Sequence, residues 1–337
     1  MNLKSIFLFV ALLSLTCTSN AQSDLQLANI GDFKTTNGAI IKDCVVGYRT
    51  IGKLNAEKNN VVLFPTWFAG TSEHINNSFA NSIIDTSGLF IIVVDALTNG
   101  VSSSPSNTED FPTITTKDMV NSQYLLLVNH LNIKHVYAVM GISLGGMQTL
   151  EWTVAYPDFM DKAISIVGTP KLSSYDMLVW QTMEDLLTEA GHDPQKLDFA
   201  YKLAYNIFLM NINTPTLFAK TQNPDSLDIF LKQQYSTRIN PKDYMAGIKT
   251  ILQHDIYKSS NCTQENIKNI IKADVLIISA AQDHLVAPIS AIELSKTLNA
   301  ELLLLQSDCG HGLSVCEAES IKNAITKFLN DKVRQLK

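Results

Sequence analysis

Ser143 stands in Gly141-Ile142-Ser143-Leu144-Gly145-Gly146, between an apolar β-branched run (Val136 to Met140) and a helix-spaced segment that ends at Pro157. This pattern predicts a strand, a tight turn and a helix. Small residues on both sides of the serine let the backbone double back and leave the hydroxyl on a strained turn above a sheet. The chemistry such a serine can do is nucleophilic attack on an acyl carbon. A serine hydroxyl is a weak nucleophile until a base takes its proton, and the base must be oriented by an acid.

On a strand-turn-helix of this kind the partners follow later in the chain, acid first and histidine second. Asp283 comes just after the predicted strand Val275 to Ser279, and His311 lies in Asp308-Cys309-Gly310-His311-Gly312, beyond the strand Leu302 to Leu305 and before a C-terminal helix. These two are the candidate acid and base. His284 is the rival base, but one strand end is poorly placed to supply both roles. Asp308 is the fallback acid, although three residues before the histidine such a side chain more often caps or braces its own loop. His135, on the far side of the nucleophile strand, His254, within a later helical region, and His74, His130 and His192 read as structural or surface residues. The negative oxygen of a tetrahedral intermediate needs two backbone donors. The amide of Leu144 is one, and Phe68, in the loop Pro65 to Thr71, is the candidate for the other.

The elements that must hold these residues are legible as a rhythm. Val61 to Phe64, Phe90 to Val94, Val136 to Met140, Ala163 to Val167, Val275 to Ser279 and Leu302 to Leu305 are short β-rich runs separated by helix-length segments. That alternation predicts an α/β protein whose mainly parallel sheet carries helices on both faces. Antiparallel strands are expected between Leu25 and Tyr48, around the turn Thr36-Asn37-Gly38. The stretch from Pro170 to about Asn261 is too long for one crossover and reads as helices punctuated by prolines. The expected organisation is therefore a core of residues 22–170 and 262–337, with a helical cap of residues 171–261 inserted after the sixth strand of the sheet. The aromatic and Met residues of the cap read as packing.

The chain has 337 residues, 46% hydrophobic and 17% charged, enough to bury a large core. Residues 1–21, with Lys4, an apolar run from Ile6 to Leu15 and small residues ending at Ala21, read as a secretory signal peptide, which predicts a secreted or periplasmic protein with no stable membrane insertion. A lipid anchor on Cys17 fits less well, because Thr16 and Ser14 make a poor lipobox. A formal net charge of −6 lacks the basic footprint of a nucleic-acid binder. Cys309 and Cys316 bracket His311 and could close a small loop, while the connectivity of Cys44, Cys262, Cys309 and Cys316 stays open. Ligand spacing for zinc is missing, and neither a metal nor a cofactor is expected.

The string GISLGGMQTLEW (Gly141 to Trp152) resembles the nucleophile turn of the homoserine O-acetyltransferase family of α/β-hydrolase-fold enzymes. FPTITTKDMVNSQ (Phe111 to Gln123) and GVSSSPSNT (Gly100 to Thr108) are similar to the same family in the same order, and PTWFAGTSEH (Pro65 to His74) to its branch without a settled substrate. The resemblance runs from about Ile40 to Phe328 and is weakest in the cap. It implies the α/β-hydrolase fold, with an eight-stranded sheet, and the triad Ser143, Asp283 and His311. It departs at Gly312, where the acetyltransferases carry an aspartate after the base. Three functions remain open: a hydrolase of short-chain acyl esters, an O-acyltransferase with an alcohol or amino-acid acceptor, and a non-catalytic binding relative. The expected partner is a small acyl ester, and a homodimer through the cap is left open.

Overall fold

The computed structural model describes residues 22–191 and 193–331, so residues 1–21, where a signal peptide is expected, His192 and residues 332–337 lie outside the described residues. The strands are β1 (Gln26–Asn29), β2 (Phe33–Lys34), β3 (Ile40–Ile41), β4 (Val45–Gly52), β5 (Val61–Pro65), β6 (Phe90–Val94), β7 (Val136–Ile142), β8 (Met160–Ile166), β9 (Asp274–Ala280) and β10 (Glu301–Leu305). Eight of them form one sheet in the order β1-β4-β6-β5-β7-β8-β9-β10. The pairs β1/β4 and β4/β6 are antiparallel, and the remaining neighbours are parallel. The short β2 and β3 pair about Thr36-Asn37-Gly38, where the turn was expected.

Why the inner strands read as unbroken apolar runs is clear from β5. Val61 and Leu63 belong to the cluster on one face of the sheet, Val62 and Phe64 to the cluster on the other, and all four are fully buried. A strand covered on both faces has no solvated side for polar residues. The covering helices are α1 (Asn77–Ile83), α2 (Thr116–Leu125), α3 (Leu144–Ala155) and, after the cap, α10 (Ile289–Leu298), the short α11 (Leu313–Cys316) and α12 (Ala318–Asn330).

Between β8 and β9 the chain forms α4 (Ser174–Ala190), α5 (Pro194–Ile212), α6 (Pro215–Thr221), α7 (Leu227–Ser236) and α8 (Pro241–Leu252), followed by the short α9 (Ile256–Ser259). Trp180, Met183, Tyr201 and Tyr244 of these helices share a buried cluster with Phe68, Leu144 and Met147, so the cap is packed onto the C-terminal edge of the sheet. Ile256 and Tyr257, inside the stretch assigned to the cap, sit in the core cluster instead. The chain has already rejoined the core at Ile256, whose amide donates to the carbonyl of Pro170 (2.9 Å). Among the described residues no helix is long and apolar enough to cross a membrane.

α3 is buried along almost its whole length and carries polar residues that need partners. Gln148 donates to the carbonyl of Thr66 (3.0 Å), and Glu151 accepts from the Ser259 hydroxyl (2.7 Å). Burial pushes the Glu151 carboxyl up to about 7 from its ordinary 4.5, against the Ser259 hydrogen bond. The folded protein thus holds a proton that the unfolded chain has released. The stabilisation is complete below about pH 4.5 and is lost as the pH rises through about 7. Glu151→Gln should remove that decline and raise the unfolding free energy at pH 8 by up to about 3 kcal/mol. Denaturant titrations at pH 5 and pH 8 check this, and an equal pH dependence in both proteins would exclude Glu151 as its source.

Candidate active site

Ser143 lies between β7 and α3 with φ 57° and ψ −121°, a backbone region that side chains rarely adopt. The glycines around it are required by space. A Cβ on Gly141 would stand 2.3 Å from the carbonyl carbon of Gly145, and one on Gly145 would stand 2.5 Å from the carbonyl oxygen of Pro65. The turn is tied down by the Ser143 amide, which donates to Ile166 of the neighbouring β8 (2.8 Å).

His311 reaches this turn from a 3-10 turn (Gly310–Gly312) after β10. Its Nε2 is 2.7 Å from Ser143 Oγ, and its Nδ1 is 2.7 Å from Asp283 Oδ2. The other Asp283 oxygen accepts the amides of Leu285 and Val286, both at 2.9 Å. All three side chains are buried. With one carboxylate oxygen fixed by two amides, the other is free to orient the imidazole with Nδ1 protonated, which leaves Nε2 as an acceptor for the serine proton. The three residues named from the sequence are thus joined in one hydrogen-bonded chain, with His311 in the middle.

The rival residues are engaged elsewhere. Asp308 forms an ion pair with Lys220 (2.9 Å) on the surface, while its backbone carbonyl accepts from the Thr214 hydroxyl. His284 is half-buried and outside the relay. His135 pairs with Asp161 (3.1 Å). His254 is buried between the Thr116 hydroxyl (2.9 Å) and the Thr169 carbonyl (2.8 Å), and burial lowers its basicity to a pKa of about 4.

Leu144 opens α3, where the first amides of a helix lack partners within it. Leu144 and Phe68 line one narrow crevice together with Ala69, Ile239, Asp243 and Gly247. The Phe68 ring is wedged among Trp180, Tyr244 and Phe208, with ring centres 4.8 to 5.9 Å away. Gly247 leaves the room for it, since a Cβ there would stand 2.8 Å from the ring. Three side chains that hold the surroundings were not read from the sequence. Asp176 at the start of α4 accepts the amide of Ala287, which ties the cap to the Asp283 loop (2.8 Å). Asp243 of α8 accepts from the Ser106 amide (2.9 Å) and hydroxyl (2.5 Å), which ties it to the core. Asp95 lies at the end of β6. A charged residue closing the apolar run Phe90 to Val94 was the available signal for it. Among the described residues no group of three or more His, Cys, Asp or Glu side chains gathers as a metal site.

The family model for the alpha/beta hydrolase fold matches residues 59–315, most of the chain and all of the residues just described. The chain belongs to the α/β-hydrolase fold family. Within that family it is 35% identical to the ethyl acetate hydrolase of Pseudomonas veronii over 179 residues, covering 51% of each protein. It spans about half the length of the esterases it matches. To the homoserine O-acetyltransferase of Methanosalsum zhilinae it is 26% identical over 354 aligned positions, covering 89% of this chain and 71% of that protein. Relatives of that name align over most of the chain, which bears out the resemblance carried by Gly141 to Trp152. The solved acetylester hydrolase of Corynebacterium glutamicum superposes with a TM-score of 0.82 at 23% identity, covering 91% of this chain and 96% of that one, a likeness of fold.

The His311 turn is braced by a disulfide between Cys309 and Cys316, leaving Cys44 and Cys262 free. Closing a loop of seven positions is worth about 2 to 3 kcal/mol in chain entropy. Cys309→Ser with Cys316→Ser should lower the melting temperature correspondingly and shed the sensitivity of melting to dithiothreitol. An unchanged melting temperature would mean that the bridge contributes nothing to the fold.

Proposed function

We propose that this enzyme is a hydrolase of short-chain acyl esters that works through an acyl-serine intermediate. The observation that carries the reading is the unbroken chain from Asp283 through His311 to Ser143, with 2.7 Å at each link. In the first step Ser143 Oγ attacks the ester carbonyl while His311 Nε2 takes its proton. The tetrahedral anion is held by the amides of Leu144 and Phe68. It collapses as His311 protonates the departing alcohol, leaving the acyl group on Ser143. Water, deprotonated by the same histidine, then releases the acid and restores the serine. Asp283 stays ionised throughout and balances the imidazolium. The rings of Trp180, Phe208 and Tyr244 packed around Phe68, in one cluster with Leu144, support a small acyl group over a bulky one.

A second reading, acyl transfer to an alcohol or amino acid, is favoured by the long alignment with homoserine O-acetyltransferases. An amino-acid acceptor would bring an ammonium, whose burial without an anionic partner costs several kcal/mol. Gly312 offers no carboxylate beside the base, and Asp243, the carboxylate near Phe68, is held at the cap–core junction by the Ser106 amide and hydroxyl. Export on the leader read in residues 1–21, which a disulfide suits, would also separate the enzyme from cytosolic acyl-CoA.

Three variants and two assays test the reading. Ser143→Ala and His311→Ala should each lower kcat on p-nitrophenyl acetate by about 10⁴-fold or more, and His284→Ala by far less. Acetylation of homoserine from acetyl-CoA should stay below a kcat/KM of about 10⁴ M⁻¹s⁻¹, the low end of ordinary enzyme efficiency. Retained hydrolysis in Ser143→Ala would refute the nucleophile, and efficient homoserine acetylation would replace the hydrolase with the transferase.

A further inference from the structure

The loop that carries Phe68 is held on both sides by groups at the C-terminal end of β6. Before Phe68, the Thr66 amide donates to the carbonyl of Val94 (3.0 Å), and the Thr66 hydroxyl accepts the amide of Ala96 (3.0 Å). After Phe68, Asn99 Nδ2 donates one hydrogen to the carbonyl of Gly70 (3.0 Å) and the other to Asp95 Oδ1 (2.8 Å). The Asp95 carboxylate also accepts the Ser72 amide (2.7 Å) and the Ser72 hydroxyl (2.6 Å). Asp95 is 1% exposed and Asn99 5%, so these bonds do not compete with water.

The Asn99 side chain and the Asp95 backbone are themselves fixed by the segment Gly100 to Thr108. Asn99 Oδ1 accepts the amides of Val101 (3.0 Å) and Ser102 (3.2 Å), and the Ser102 hydroxyl donates to the carbonyl of Asp95 (2.6 Å). The neighbouring strand makes room, because a Cβ on Gly47 of β4 would stand 3.0 Å from Asp95 Oδ2. None of these groups contacts the Ser143-His311-Asp283 relay in a way that would assist proton transfer. Their hydrogen bonds converge instead on residues 70 and 72, just past the amide of Phe68.

We propose that Asp95 and Asn99 are positioning residues for the Phe68 amide, and that GVSSSPSNT is the scaffold that aims them. The proposal rests on the acyl-transfer reading above and deepens it. A ground-state carbonyl tolerates a loosely placed donor, whereas the tetrahedral anion draws its stabilisation from donors already in place. Releasing Gly70 or Ser72 therefore acts on kcat and leaves ester binding nearly intact.

The test compares Asn99→Ala, Asp95→Asn and the milder Ser72→Ala with Ile325→Val, a buried methyl deletion in α12 that touches none of these hydrogen bonds. Each is assayed on p-nitrophenyl acetate and for inhibition by an alkylboronic acid, which forms a tetrahedral anion on a reactive serine. Asn99→Ala and Asp95→Asn should lower kcat by about 10- to 100-fold with KM changed by no more than about threefold. Boronic acid affinity should fall in parallel with kcat, Ser72→Ala should show the same pattern at smaller amplitude, and Ile325→Val should leave both unchanged. A variant that does not fold leaves the test to the others, of which Ser72→Ala removes only a hydroxyl. Unchanged kcat in the folded variants, a loss confined to KM, or an equal loss in Ile325→Val overturns the proposal while the wild-type enzyme remains an esterase. A wild-type enzyme that neither hydrolyses the ester nor binds the boronic acid overturns the acyl-transfer reading itself, and this proposal with it.

Discussion

The structure depends on one backbone constraint, the turn that holds Ser143 at positive φ between β7 and α3. A non-glycine residue there costs on the order of 1 to 3 kcal/mol unless its surroundings over-determine it. Here they do. Gly141 and Gly145 let strand, helix and the β5 loop approach within distances that a Cβ would block, and Gly146 and Gly168 meet Ser165 in the same way. The buried helix α3 leaves this turn at a fixed angle, and its Gln148 returns to grip Thr66 at the root of the Phe68 loop. The glycines that permit the strained serine therefore also set the distance between the serine and the neighbouring loops.

Around that turn the chain spends its buried polar groups on position. Asp283 uses one oxygen on two amides and the other on His311, so its charge is both stabilised and aimed. Asp95, Asp176 and Asp243 follow the same plan, each a buried carboxylate with amide or hydroxyl donors joining segments distant in sequence. Burial raises the pKa of all three, opposed by those hydrogen bonds. Breaking such a bond strands a buried charge, which makes these ties stiff.

How much of this was legible depended on whether a signal is local. Ser143 announced itself because the strand, the glycines and the helix adjoin it in sequence. Asp283 and His311 were reachable because each closes a β-rich run, and the apolar strands because both of their faces are covered. The ties that join the cap to the core were not legible. Asp243 meets Ser106 across 137 positions, and no periodicity encodes which helix turn meets which loop. The cap's return to the core at Ile256 was hidden for the same reason, since Ile256 and Tyr257 continue a helical pattern whose burial only tertiary packing decides. The pairing of Cys309 with Cys316 was one of several connectivities that spacing allowed.

The central claim is that Ser143 carries the acyl group, and its most direct measurement is the covalent state of the protein during turnover. The enzyme is mixed with an acetate ester, quenched in acid within milliseconds and digested, and the peptides are weighed. The account predicts an acetyl group on the peptide containing Ser143 that appears during turnover and disappears once the ester is exhausted. Turnover without any acetylated peptide, or with the acetyl group on another residue such as the free Cys262, would contradict it.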